Sequence, residues 1–161
     1  MSESRINFQK SLRKIVIPAI APLGYEKFVP PKGLKDSRLT FFRKHLFDNT
    51  YAYIMFQLRN WVSMPLPPSM QPMPRSFWIT LIRNPGDEPI LIPREEYSYY
   101  LQMSLSGVLW AVLGLYKYQR GYHEWKYFTA DELDVQLQMA TEDLVNYGIP
   151  WLEDLKSKNQ Y

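Results

Sequence analysis

Residues 129–155 read TADELDVQLQMATEDLVNYGIPWLEDL, and this stretch decides how the chain is organised. Thr129 followed three positions later by Glu132 is a capping box, in which both side chains bind free backbone N–H groups at a helix start. Helical spacing then predicts a buried stripe made of Leu133, Leu137, Ala140, Leu144 and Tyr147. Gly148 suits a helix C-cap, and Pro150 suits the start of a further turn. We therefore predict an amphipathic helix that stops at Gly148 and is followed by a short helical turn.

A second amphipathic helix is predicted at the start of the chain. Its apolar face is formed by Phe8, Leu12, Ile15 and Ala19, which recur at helical spacing. Ser2 or Ser4 can cap the first turn. Pro18 is expected to kink the second half, and Gly24 is expected to end the helix. Residues 25–29 then follow as a short extended segment.

Three stretches between these helices are predicted to be strands. Residues 51–61 alternate, with one face formed by Ala52, Ile54, Phe56 and Leu58 and the other by Tyr51, Tyr53, Met55, Gln57 and Arg59. This alternation is typical of a strand with one face in the core and one half-exposed. Residues 38–45 precede it across a turn at Asp48 and Asn49, which indicates a hairpin. Residues 75–84 are apolar on both faces, as in the central strand of a sheet.

Residues 97–113 fit two patterns. Alternation from Tyr97 to Leu105 indicates a strand, whereas helical spacing from Tyr97 to Val112 indicates a helix. Gly107 and the neighbouring serines favour a long strand that bends at the glycine. Residues 99–116 also approach the length of a membrane span, but polar side chains interrupt them, so a buried strand is the favoured interpretation.

Composition restricts the class of protein. The 161 residues have the size of one ordinary domain, so we predict that residues 1–161 form a single domain. The aromatic share of 16% is high and indicates either a thick core or an adhesive surface. A net charge of +3 is too small to indicate nucleic-acid binding by itself.

The chain contains no cysteine, which excludes disulfides, zinc–thiolate sites and thiol nucleophiles. The first residues lack the layout of a secretory signal, so we expect a cytoplasmic protein that does not associate with membranes. Residues 62–75 are rich in proline and are predicted to form a semi-rigid loop. Met64, Met70 and Met73 in that loop suit an adaptable contact surface.

The order of these elements predicts an α+β fold. A helix is followed by a run of antiparallel strands and then by another helix. We expect an antiparallel sheet of four to five strands, with the N- and C-terminal helices packed together on one face.

The motifs, taken in order, resemble a known family. They are Pro22-Leu23-Gly24-Tyr25, Phe41-Phe42-Arg43, Ile54-Met55-Phe56-Gln57, Phe77-Trp78-Ile79-Thr80 and Gly148-Ile149-Pro150-Trp151-Leu152-Glu153. This order resembles the uncharacterised bacterial family called domain of unknown function 4304, over nearly the whole chain. Residues 64–74 and 109–122 depart from the family pattern. The resemblance implies an accessory or immunity-type protein of a bacterial conflict system, and it implies no catalytic residue.

Sequence motifs of enzymes are absent. The chain has no glycine-rich phosphate loop and no GxSxG elbow. His45 and His123 stand far apart, and the pair His123–Glu124 is too small to indicate a metal site. Glu95 and Glu96 are most simply residues of a solvated loop. We therefore predict no catalytic residue, no metal and no cofactor.

The strands carry the most specific candidate site. A suitable register would place rings, an amide and a guanidinium on one sheet face, formed by Tyr51, Tyr53, Gln57, Arg59, Trp78 and Thr80. Tyrosine, tryptophan and arginine are the usual anchors of protein interfaces, so a protein partner is the favoured ligand. The same rings could stack the bases of a single nucleic-acid strand, with Arg38, Arg43 and Lys44 for the phosphates. A second layer that simply covers the face is the structural alternative.

The sequence therefore predicts a non-enzymatic protein-binding domain, in the form of an immunity-type inhibitor or an accessory subunit. The alternative is a small-molecule-binding or metal-independent enzyme domain that uses a pocket on the sheet face. Glu95 or Glu96 beside an arginine or histidine in an enclosed pocket would favour that alternative.

Overall fold

A computed structural model describes residues 3–59, 74–92, 100–114 and 125–158. Its strands are β1 (Glu26–Phe28), β2 (Leu39–Phe47), β3 (Thr50–Arg59), β4 (Arg75–Pro85), β5 (Leu101–Ser104) and β6 (Trp125–Tyr127). They form one antiparallel sheet in the order β1-β2-β3-β4-β5, and β6 pairs with the other end of β4. The α+β prediction is confirmed. The described part of the chain has six strands instead of four to five, because two short extended segments pair with the sheet as β1 and β6.

The α-helices of the described residues are α1 (Glu3–Ser11), α2 (Ile17–Ile20), α3 (Leu105–Gly107), α4 (Ala130–Asp143) and α5 (Ile149–Glu153), and short 3-10 turns lie at Ala21–Leu23 and Lys32–Leu34. Wider π-helical turns continue the α-helices at Leu12–Val16, Val108–Val112 and Leu144–Gly148. The first of these turns bonds the Ile17 N–H to the Leu12 carbonyl and accommodates Pro18 in the next turn. Gly24 ends the first helical segment at a φ of +95°, as predicted.

The first and last helices pack together on the core face of the sheet, as predicted. The Ser11 hydroxyl donates to Asp134 Oδ1 at 2.5 Å, and Lys14 Nζ donates to Asp134 Oδ2 at 2.9 Å. These two hydrogen bonds hold the pKa of Asp134 below its usual value. Asp134 therefore joins two elements that are far apart in the sequence.

The core lies between the helices and one face of the sheet. The predicted core face of β3 is confirmed, since Ala52, Ile54, Phe56 and Leu58 are all buried. Antiparallel pairing places them opposite Arg83, Leu81, Ile79 and Phe77 of β4. In the first helix the fully buried residues are Phe8, Leu12, Val16 and Ile20. Ile15 and Ala19 flank that stripe and are only partly buried, so the predicted face was displaced by one position in its second half.

The start of α4 confirms the Thr129 cap, whereas the Glu132 side chain binds the N–H of Phe128, one residue before the N-cap partner that a capping box uses. Thr129 Oγ1 accepts a hydrogen bond from the Glu132 N–H at 3.2 Å, and Glu132 Oε2 accepts one from the Phe128 N–H at 2.6 Å. Four members of the predicted stripe are buried, namely Leu133, Leu137, Ala140 and Leu144. Tyr147 is 40% exposed, because the wider π-helical turn shifts it off the core face.

Gly148 does not end the last helix, so that prediction is wrong. Its φ of −67° is helical, and the chain continues through it into α5. A Cβ at this position would lie 2.7 Å from Leu105 Cδ1 and 3.3 Å from Leu81 Cδ1. A side chain at this position would force Leu105 to move, so the glycine allows the helix to pack closely on α3 and β4.

The long bent strand predicted over residues 97–113 is wrong from Leu105 onwards. Strand β5 ends at Ser104, whose hydroxyl accepts a hydrogen bond from the Gly107 N–H at 3.0 Å and caps a helix. Leu105, Val108 and Leu109 are buried, which is the helical spacing. Residues 97–99 lie outside the described ranges.

Arg83 is a buried charge that ties the last helix to the sheet. It lies on the core face of β4 and is fully buried. Its Nη1 donates to the carbonyls of Leu152 at 2.8 Å and Asp154 at 2.7 Å. Because helix C-termini leave carbonyls without partners, this arginine completes the end of α5.

Two further predictions concern the proline-rich loop and a possible membrane span. The proline-rich loop predicted for residues 62–75 lies outside the described residues up to position 73, and Arg75 already belongs to β4. Among the helices of the described ranges, none has the length and apolar character that a bilayer crossing needs.

Candidate functional site

The register between β3 and β4 brings the six candidate residues onto one face of the sheet. We call this set the aromatic face; it consists of Tyr51, Tyr53, Gln57, Arg59, Trp78 and Thr80. Gln57 pairs with Trp78, and Thr80 pairs with Met55 on the same face. The six residues therefore share one sheet face, as expected from the sequence for a suitable register.

Three residues of this face form a connected group, which we call the Trp78 cluster. Trp78 Nε1 donates to Gln57 Oε1 at 2.5 Å, and the Arg59 guanidinium carbon lies 3.6 Å from the centroid of the Trp78 ring. All three side chains are half-buried. The Gln57 amide binds the edge of the indole and the Arg59 guanidinium covers one ring face. These two contacts restrict the conformation of the Trp78 side chain.

Tyr53 is fully buried and belongs to the packing of the molecule. Its hydroxyl donates to the Gly86 carbonyl at 3.0 Å, and its ring meets Phe28 edge-on at 5.8 Å. Burial raises the pKa of Tyr53 above its usual value. The part of the aromatic face that remains half-exposed is thus Tyr51, Gln57, Arg59, Trp78 and Thr80.

Arg43 organises the other end of the aromatic face. Its guanidinium carbon lies 4.5 Å from the Phe28 ring centroid and 5.2 Å from that of Tyr51. Its Nη1 donates to the Asp87 carbonyl at 2.9 Å, so Arg43 bridges β1, β3 and the turn after β4. Sequence reasoning did not assign this role to Arg43. The sequence does contain a signal for it: Arg43 lies two residues from both Phe41 and His45 on β2, and this alternation puts all three side chains on one face.

The basic residues considered for phosphate contacts have partners within the protein. Both Asp36 carboxylate oxygens accept hydrogen bonds from the Arg38 guanidinium, at 3.1 and 2.8 Å. Lys44 Nζ contacts Glu153 Oε1 at 2.6 Å. Of the three, only Arg43 lies over the aromatic face. The arrangement of a ring platform flanked by open cations, which single-strand binding requires, is not formed by these side chains.

The residues considered for catalysis are only partly described. His45 Nε2 lies 2.6 Å from the Asp48 carbonyl, and its ring lies 4.9 Å from that of Tyr51. Within the four described ranges, no group of three or more histidine, cysteine or acidic side chains could hold a metal. Glu95, Glu96, His123 and Glu124 lie outside those ranges. The acids Asp131 and Glu132 occupy the first turn of α4, where the helix dipole favours them.

No protein-family model, curated protein or solved structure matches this chain. The resemblance to domain of unknown function 4304 therefore stays a prediction from the sequence motifs.

Proposed function

We propose that this chain is a non-enzymatic domain that binds a protein partner through the half-exposed part of the aromatic face. The observation that carries the proposal is the Trp78 cluster, in which Gln57 and Arg59 hold the indole from its edge and its face. Tryptophan and arginine are the residue types that most often dominate binding energy at protein interfaces. A side chain that is already held in place loses less entropy when a partner binds.

The shape of this surface also favours a protein as the ligand. Tyr51 lies at one end of β3 and the Trp78 cluster at the other, and Thr80 follows Trp78 by two residues on the same face of β4. Residues Tyr51 and Arg59 are eight positions apart along an extended strand, which separates them by about 26 Å. These anchors are spread along the sheet, with the buried side chains of Tyr53 and Met55 between them. Such a spread set suits contact with a partner surface better than enclosure of a small molecule.

The biological form that we propose is an immunity-type inhibitor or an accessory subunit of a bacterial conflict system, acting in the cytoplasm. This part of the proposal is supported by the order of motifs that resembles domain of unknown function 4304. A toxin or nuclease encoded beside the gene would support the inhibitor form.

A photo-crosslinking experiment tests the binding surface. A benzophenone amino acid is placed at the position of Thr80 on the aromatic face, and in a matched protein at the position of Val135, which is 58% exposed on α4. Irradiation in cells of the native host is expected to yield a discrete protein adduct from position 80 and none from position 135. Equal adducts from both positions, or none from position 80, would contradict the proposed surface.

A further inference from the structure

A cleft of about 560 Å³ opens at the β1 edge of the sheet. Its walls are α1 on one side and, on the other, β1 with the segment that leads into β2. Gln9 of α1 donates to the Thr40 hydroxyl at 2.9 Å, which holds the helix at this distance from β2. We call this feature the basic cleft, because of the charges that line it.

The basic cleft has a surplus of positive charge. Its cationic lining residues are Arg5, Arg13, Lys27 and Lys35. None of these four forms an ion pair with another residue of the described ranges. The carboxylate that lines the cleft, Asp36, is already bound by Arg38, and those hydrogen bonds lower its pKa to about 2. Arg38 binds Asp36 directly, and Arg5 also interacts electrostatically with that carboxylate. One carboxylate thus faces four cations in the lining, and the cleft keeps a surplus of positive charge.

Apolar side chains and a strand edge accompany these charges. Ile6 is 42% exposed and Val29 is 72% exposed, and both line the cleft. In the described residues β1 pairs with β2 alone, so its outer edge offers backbone N–H and C=O groups. An extended polypeptide laid along such an edge gains main-chain hydrogen bonds and places alternate side chains against the walls.

We propose that the basic cleft binds an extended acidic segment of a partner protein, with carboxylates on the cations and apolar side chains against Ile6 and Val29. The inference goes beyond the proposed function because it concerns other residues and names the chemistry of the ligand. Either proposal can therefore fail while the other holds.

Nucleic acid is the competing ligand for a basic cleft, and the rings that line this one disfavour it. Phe41 is buried, and the face of Phe28 is covered by the Arg43 guanidinium at 4.5 Å. Single-strand binding draws on aromatic rings that are open for stacking by bases. Phe41 offers no open ring and Phe28 has one ring face occupied by Arg43, whereas acidic side chains need only the cations.

Fluorescence anisotropy with defined probes tests the inference. The probe is a labelled peptide of alternating glutamate and valine, compared with a peptide of alternating glutamine and valine and with a labelled oligothymidylate. The test variant combines Arg13→Gln, Lys27→Gln and Lys35→Gln, whose side chains are exposed. The matched control combines Lys126→Gln, Lys156→Gln and Lys158→Gln, which removes the same charge from exposed positions away from the cleft.

The wild-type protein and the control variant are expected to bind the glutamate peptide equally, and the test variant about a hundredfold more weakly, since each charge contact contributes about fivefold. Affinity should fall steeply with added salt. Equal weakening by both variants would overturn the inference, as would equal binding of the glutamine peptide. Tighter binding of the oligothymidylate than of the glutamate peptide would overturn it in favour of nucleic acid.

Discussion

The guanidinium carbon of Arg59 lies 3.6 Å from the centroid of the Trp78 ring. The contact crosses from β3 to β4, and the register explains it, because Trp78 pairs with Gln57, two residues before Arg59. A diagonal neighbour on the same face lies within reach of a long side chain. The sheet pairing thus brings the indole of Trp78 to an amide and a cation that lie on another strand, with Gln57 being 21 positions earlier in the sequence.

Removing the cation should weaken the fold slightly. We expect Arg59→Gln to lower the free energy of unfolding by about 1 kcal/mol, the usual size of a partly desolvated cation–π contact. Urea denaturation followed by circular dichroism measures this change. Arg13→Gln, at an exposed position on the first helix, is the control and should change stability very little. A change at Arg59 no larger than that of the control would show that the contact contributes nothing to stability.

The packing of Gly148 against Leu105 predicts a specific rescue. Gly148→Ala should destabilise the protein by about 2 kcal/mol, because the new methyl group would overlap a fully packed side chain. Leu105→Val in the same protein shortens that side chain and should restore part of the loss, as a double-mutant cycle measures. Gly33→Ala, where no atom lies within 4 Å, is the control. Strictly additive effects at positions 148 and 105 would contradict the packing explanation.

Arg83 should be one of the most sensitive positions in the sheet. Arg83→Met removes the donor to the carbonyls of Leu152 and Asp154, so we expect a loss of about 3 kcal/mol in the free energy of unfolding. Arg75→Met, at the exposed start of the same strand, should cost far less. Amide hydrogen exchange should accelerate selectively in α5. Unchanged exchange in α5 would show that Arg83 does not hold that helix.

The contact of Asp134 with Ser11 and Lys14 predicts a pH-dependent stability. Because the pKa of Asp134 is lowered in the folded state, its contribution is present at neutral pH and is lost as pH falls below the unfolded value of about 4. Asp134→Asn should therefore cost about 1 kcal/mol at about pH 7 and nearly nothing at about pH 2. Glu142→Gln, exposed on the same helix, is the control. An equal cost of Asp134→Asn at both pH values would contradict the linkage.

The parts of the fold that were predicted correctly depend on neighbours in the sequence. The Thr129 cap of α4 needs only Thr129 and Glu132, and the core face of β3 needs only alternation. Ser104 shows the limit of such reasoning, because its hydroxyl interrupts an apolar pattern in the sequence but caps α3 in the structure. Gly148 shows it again, since a glycine that stops a helix and one that permits close packing look alike until Leu105 is placed beside it.

In the candidate site too, the features that depend on sequence neighbours were predictable and those that depend on distant residues were not. Alternation and a simple register are enough to place Gln57, Arg59 and Trp78 on one face. The burial of Tyr53 depends on β1 and on Gly86, which approach from distant parts of the chain. The basic cleft likewise forms between α1 and the β1 edge, so no local sequence motif predicts it.

The central claim is that the half-exposed aromatic face binds a protein partner, and an affinity comparison tests it most directly. The partner captured by crosslinking is purified, and its Kd is measured by calorimetry against the wild-type protein and a double variant, Arg59→Glu with Thr80→Arg. The control is Lys158→Glu with Val135→Arg, which makes the same charge change at exposed positions off this face. We expect the double variant, folded by circular dichroism, to bind about thirtyfold more weakly, the effect of one interface hot spot, while the control binds like the wild type. Equal Kd values for the folded double variant and the wild-type protein would contradict the claim.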